Sequence, residues 1–148
     1  MAIEFMDNFS QYGTDESYML DGIYAEVTGS VGVADPDGVS TPVVFLNNGN
    51  GVRKVLSSAQ TTVGIAQRYW FDALPTSNNA TLIKQFRDAA NAAQISLGVQ
   101  STGILAVYRG TNEGTILGST AVPAITAGAW SHIEMKVLFS QTVGTVEV

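Results

Sequence analysis

The chain has 148 residues and a mass of 15.6 kDa, the usual size of one domain, and it contains no cysteine, which excludes disulfide scaffolds, thiolate metal clusters and cysteine nucleophiles. Charged residues make up 14% and hydrophobic residues 45%, too apolar for a disordered tail and too sparsely charged for a salt-bridged helical bundle. A net charge of -6 and a pI near 4.5 argue against binding nucleic-acid backbones, which calls for clustered Lys and Arg.

The first residues, Met1 to Asp7, carry Glu4 and Asp7 where a secretory signal carries Lys or Arg. Two longer stretches lack charge, Ala89 to Tyr108 and Gly114 to Ile133. Both are interrupted by Gly, Ser, Thr, Asn or Gln and are not continuous apolar spans of bilayer length. A soluble chain is expected, with no membrane partner.

Fifteen glycines and four prolines punctuate the chain, with β-branched and aromatic residues between them. That rhythm predicts many short strands in an all-β sandwich or barrel. Asp35 to Gly38 and Asn47 to Gly51 read as turns, because Gly and Asn tolerate positive φ. Thr62 to Phe71 is a long strand candidate in which Val63, Ile65, Gln67, Tyr69 and Phe71 alternate with Gly64, Ala66, Arg68 and Trp70. Leu82 to Ala93 is ambiguous. Leu82, Ile83, Phe86, Ala89, Ala90 and Ala93 share a face at helical spacing, whereas a strand would have mixed faces, so periodicity leans to helix. Gln94 to Val99 places Ile95, Leu97 and Val99 on one face. A turn at Ser101 to Gly103, Ile104 to Arg109, a second turn at Gly110 to Gly114, and Thr115 to Ser119 continue an antiparallel meander.

The clearest strand is Trp130 to Phe139. Ile133, Met135, Val137 and Phe139 form an apolar stripe, and Trp130, His132, Glu134, Lys136 and Leu138 point the other way. Ser140 to Gly144 and Thr145 to Val148 then read as a hairpin with glycine near its turn. The sequence stops within a strand pattern. The expectation is that the chain continues in a longer protein, or that its last strand pairs with a neighbouring subunit.

Chemistry-bearing residues are few. His132 is the lone histidine, so a Ser-His-Asp triad would depend on it, and zinc sites of the usual kind lack ligands. A packed or solvent-facing strand histidine is the plainer reading. Glu134 and Glu147 fall on adjacent strands, but Lys136 stands where a second acid of a glycosidase pair would be expected, so both read as solvated charges. Asp35 and Asp37, with Asn47, Asn48 and Asn50, supply the hard oxygen atoms that calcium accepts. Their spacing is not that of an EF-hand, and turn chemistry also accounts for them. Gly49 to Lys54 lacks the spacing of a phosphate-binding loop. Tyr69, Trp70, Phe71, Tyr108 and Trp130 can stack on sugar rings where exposed, against a core role for aromatics in a sandwich; Tyr69, Trp70 and Tyr108 are the carbohydrate-binding candidates.

Asp7 to Phe9, Val63 to Ala66, Ser96 to Val99 and above all Ala127 to Val137 followed by Gly144 to Val148 carry a family pattern. The last motif reads Gly-x-Trp-x-His-Ile-Glu, a strand, then Gly-x-Val-Glu-Val. Together these resemble the concanavalin A-like lectin/glucanase fold, and more closely the laminin-G-like jelly-roll modules of bacteriophage virion proteins. The resemblance implies one domain over residues 1–148, an antiparallel two-sheet jelly-roll sandwich, with further strands expected after Val148. It tips Leu82 to Arg87 to strand and Asp88 to Asn91 to turn. The acidic strand motif of the glucanase branch is not matched, so no catalytic residues are implied. The expected function is a non-enzymatic virion structural protein, a capsid decoration, fibre or tail component, in homo-oligomeric or multi-copy assembly with other virion proteins. The alternative is a carbohydrate-binding module of a larger enzyme or adhesin, engaging surface glycans with or without calcium. The inference from jelly roll to virion is one of analogy.

Overall fold

The computed structural model of the chain describes residues 26–28, 31–34, 43–46, 51–53, 55–56, 60–76, 80–140 and 144–148. The chain divides into two compact units, Met1–Gln60 and Thr61–Val148. All regular structure among the described residues is β.

Among the described residues the first unit contains four short strands: β1 (Glu26–Thr28), β2 (Val31–Ala34), β3 (Val43–Leu46) and β4 (Gly51–Arg53). They form two antiparallel pairs, β1 with β4 and β2 with β3. The turns expected at Asp35–Gly38 and over residues 47–50 fall outside the described residues.

The second unit holds β5 (Thr62–Trp70), β6 (Thr81–Arg87), β7 (Ala93–Val99), β8 (Leu105–Arg109), β9 (Ile116–Ser119), β10 (Trp130–Leu138) and β11 (Thr145–Glu147). They make two antiparallel sheets, one in the order β11-β10-β5 and one in the order β6-β7-β8-β9. The second is the meander that the punctuation predicts, with Gly103 and Gly110 at positive φ in its turns. The first joins strands far apart in sequence: Trp130 lies opposite Trp70 and Leu138 opposite Thr62.

Alternation decides how the sheets meet. Ile133, Met135 and Val137 on β10 pack in one buried cluster with Leu97 and Val99 of β7, Leu105 and Val107 of β8, and Ile125 of the β9–β10 connection. The two sheets therefore lie face to face as an antiparallel sandwich. Each of these side chains contributes roughly 1.5–3 kcal/mol through removal from water. Ile65, Tyr69 and Phe71 from the β5 side, Ile83, Phe86 and Ile95 from the other sheet, and Phe139 and Val146 close the periphery. Ile125 reaches the core because both Ala124 and Ile125 donate backbone hydrogen bonds to the carbonyl of Gly103, at 2.9 and 3.0 Å. At Gly103 φ is +80°, and an added Cβ would lie 2.2 Å from the Ile125 carbonyl oxygen, so only glycine fits this clamp.

The segment with helical spacing is a strand. β6 pairs with β7, but Leu82 lies opposite Gly98 and Lys84 opposite Leu97, so Ile83 is an extra residue, a β-bulge. The bulge puts Ile83 and Lys84 in succession toward the core and breaks the period of two. The structure thus corrects the helical reading of Leu82 to Ala93. Asp88 to Asn91 forms the following turn: Asn91 takes φ of 65°, its N–H donates to the Asp88 carbonyl at 2.9 Å, and the Ala92 N–H donates to Asp88 Oδ1 at 2.9 Å.

On the central strands β7 and β8 the outer face of the four-stranded sheet is buried as well. Ser96, Ala106 and Tyr108 are 0%, 0% and 4% exposed, and Ala80 packs against Ala106 and Tyr108. Ser96 accepts from Gln85 Nε2 at 3.0 Å and donates to the Gly110 carbonyl, which satisfies its buried hydroxyl. Gly98 lies under this layer, where a Cβ would meet that of Ala80 at 2.8 Å.

Candidate binding surface

The outer face of the three-stranded sheet is built differently. The β5–β10 register sets Trp70 opposite Trp130, Arg68 opposite His132, Ala66 opposite Glu134 and Gly64 opposite Lys136. The two indoles meet edge to face, with ring centroids 5.6 Å apart and an interplanar angle of 65°. The Arg68 guanidinium lies over the Trp130 ring, 4.4 Å from its centroid. Trp70 Nε1 donates to Asp72 Oδ1 at 2.9 Å, which orients the indole. An aromatic pair of this kind adds about 0.5–1.5 kcal/mol beyond burial, and an exposed cation–π contact about 0.5–1 kcal/mol.

The polar groups along this face are spread out. His132 Nδ1 lies 4.0 Å from Glu134 Oε1, and Lys136 Nζ lies 3.9 Å from Glu147 Oε2, all four side chains being exposed. Glu147 therefore faces Lys136 across β10 and β11, in the register Lys136 opposite Glu147. Exposed ion pairs of this length contribute little, about 0–1 kcal/mol. Gly64 and Ala66 are exposed and present almost no side chain, so the β5 side of the sheet is low opposite Lys136 and Glu134. Chemically the arrangement offers two indoles, one guanidinium, three carboxylates, one imidazole and one ammonium on one sheet face.

Of the three carbohydrate-binding candidates, Trp70 lies on this face. Tyr69 faces the core, stacked near Phe71 with centroids 6.4 Å apart. Its hydroxyl donates to Gln67 Oε1 at 2.8 Å, and burial pushes its pKa up to about 12. Tyr108 is 4% exposed beneath Ala80, on the outer face of the other sheet. The calcium candidates Asp35 and Asp37 lie outside the described residues. Among the described residues no group of three or more His, Asp or Glu side chains is placed to hold a metal ion.

Trp130 and Arg68 belong beside Trp70 as candidates. The sequence signal that pairs them is parity: Trp130 shares its alternation with His132 and Glu134, and Trp70 shares its own with Arg68, so both indoles ride on polar strand faces. Tyr69, one residue over, rides with Val63 and Ile65. Comparison of the chain with protein-family models, with curated proteins and with solved structures found no match in any of the three.

Proposed function

We propose that the chain is a non-enzymatic structural module of a bacteriophage virion, a capsid decoration, fibre or tail component, present in many copies with other virion proteins and displaying its β-sandwich at the particle surface. The observation that carries this reading is the largely exposed outer face of the β11-β10-β5 sheet. Lys136 meets Glu147 across β10 and β11, the His132 imidazole stands beside Glu134 along β10, and the indoles of Trp70 and Trp130 contact Asp72 and Arg68. Such a face suits docking and display, which need a rigid, presented surface more than a convergent set of reactive groups. The laminin-G-like resemblance supplies the virion context. Mass spectrometry of gradient-purified particles, with immunogold labelling by an antibody raised against the chain, tests it. Peptides of the chain at a fixed ratio to the major shell or tail protein are expected; a chain found solely in the soluble fraction contradicts the reading.

A second reading, a carbohydrate-binding module of a larger enzyme or adhesin, is favoured by the Trp70–Trp130 pair. Sugar C–H faces stack on indole, and Asp72, His132, Glu134 and Arg68 stand close enough in register to meet hydroxyl groups. On a glycan array with and without calcium, binding is expected to fall by about tenfold or more in Trp70→Ala and Trp130→Ala, as for a truncated interface tryptophan. A wild-type chain silent in both conditions removes this reading.

A further inference from the structure

An edge strand leaves a row of backbone N–H and C=O groups without partners, and proteins discourage unwanted pairing there with charge, bulges or brevity. Among the described residues the second unit has four such edges: β11 and β5 in one sheet, β6 and β9 in the other. β11 is three residues long and carries Glu147, ion-paired to Lys136. β5 carries Arg68. β6 carries Lys84 and Arg87, and the extra residue Ile83 bends it.

β9 has no charge at all. Its sequence is Ile-Leu-Gly-Ser, all four residues are exposed, and Ile116 and Leu117 remain 53% and 43% accessible. Val122, just beyond it, is 67% accessible. No Asp, Glu, Lys or Arg occurs from Gly114 to Ile133. On the β8 side the hydrogen bonding runs past the strand ends, from Arg109 N–H to the Thr115 carbonyl at 2.8 Å and from Thr120 N–H to the Leu105 carbonyl at 2.9 Å. The opposite edge therefore extends over residues 115–120, roughly 20 Å at about 3.4 Å per residue.

We infer that β9 is a homotypic docking edge, through which two copies of this chain join their four-stranded sheets antiparallel about a two-fold axis. Charge selects the occupant. A copy of a chain with net charge -6 must meet its twin where neither presents carboxylates, and β9 with the residues on to Val122 forms such an edge. A basic partner finds no carboxylate on this edge, and a nucleic acid finds no cation. Geometry selects it too, because an antiparallel strand paired with itself about a two-fold axis matches each donor with an acceptor. Ile116, Leu117 and Val122, otherwise in water, would be covered in the pair. Leu117 is an extra residue relative to β8, since Val107 lies opposite Gly118 and Tyr108 opposite Ile116. That irregularity shortens the straight run open to a partner, so the contact is small and the association belongs to the weak, transient class. Many copies held on one scaffold would strengthen it through effective concentration.

The inference rests on the edge itself and not on the virion reading, which the particle assay decides separately. Sedimentation velocity of the full chain over a wide concentration range tests it. The wild type is expected to show a monomer–dimer equilibrium. Leu117→Lys, which sets two cations near one axis, is expected to raise the dimer dissociation constant at least tenfold, and Val148→Lys, on another exposed apolar residue, to leave it unchanged. A wild type monomeric throughout overturns the inference, as does self-association abolished by Val148→Lys and untouched by Leu117→Lys. Should Leu117→Lys fail to fold, single cysteines answer the same question in a chain that has none of its own. Oxidised Leu117→Cys is expected to form disulfide dimers in clear excess over Val148→Cys; equal yields overturn the inference.

Discussion

Lys84 sits between the two sheets because the bulge at Ile83 turns it inward, opposite Leu97. Its ammonium donates to Gln67 Oε1 at 2.8 Å, the same oxygen that accepts from the Tyr69 hydroxyl. Loss of water penalises the charged form, so burial lowers the Lys84 pKa below its ordinary 10.5. At pH below the lowered value both folded and unfolded chains carry the proton, and the full cost of burying it is present. As pH rises from there toward 10.5 the folded chain releases the proton first, binds fewer protons than the unfolded chain, and gains stability. Tyr69 works in the opposite direction. With a folded pKa of about 12 against 10.0, it withdraws stability as pH rises through that interval. In urea unfolding, the wild-type midpoint is therefore expected to climb from neutral pH toward 10.0, and Lys84→Met to abolish the climb with a neutral-pH midpoint at or above wild type. Parallel profiles for the two chains would show that the lysine is hydrated in the fold. At this scale the sequence is legible by parity: Tyr69 and Trp70 part to opposite faces as their alternation predicts. The inward turn of Lys84 is not, since a bulge has no fixed sequence signature and a polar side chain is expected outside.

At the scale of the element, strands with several full alternations are the legible ones. β10 shows four buried or exposed reversals in a row from Glu134 to Leu138, and its boundaries are within a residue of those that the pattern gives. β7 likewise keeps Ile95, Leu97 and Val99 on the core side. β6 misleads because one inserted residue converts a period of two into spacings of three and four along part of the strand, which is what a helix would show. Its hydrogen bonds to β7 settle the matter, since partners across a sheet outweigh local periodicity. The four strands of the first unit are three or four residues each, too short for any period to register. β9 is legible as a strand, but its position at an edge is not. Edge or centre is a property of the assembled sheet, and only the order β6-β7-β8-β9 reveals that its uncharged residues line an open side.

At the scale of the whole molecule the sequence offers an all-β chain, and the antiparallel sandwich of residues 61–148 agrees with it. The pairing of β10 with β5 has no local signal, because it closes a loop of some sixty residues and depends on two apolar stripes finding the same core. That pairing also creates the candidate surface, by bringing Trp70 to Trp130 from opposite ends of the unit's sequence. The proposed display and docking require this face to hold its shape, which depends on the two sheets sharing one core. Amide hydrogen exchange of the full chain measures that directly. The account predicts that the most protected amides of β7, β8 and β10, including those of Leu97, Val107, Met135 and Val137, open together with one common free energy equal to that of global unfolding, while β9 and β11 exchange faster. A β11-β10-β5 sheet that opens on its own, at a free energy well below that of the β6-β7-β8-β9 sheet, would contradict it.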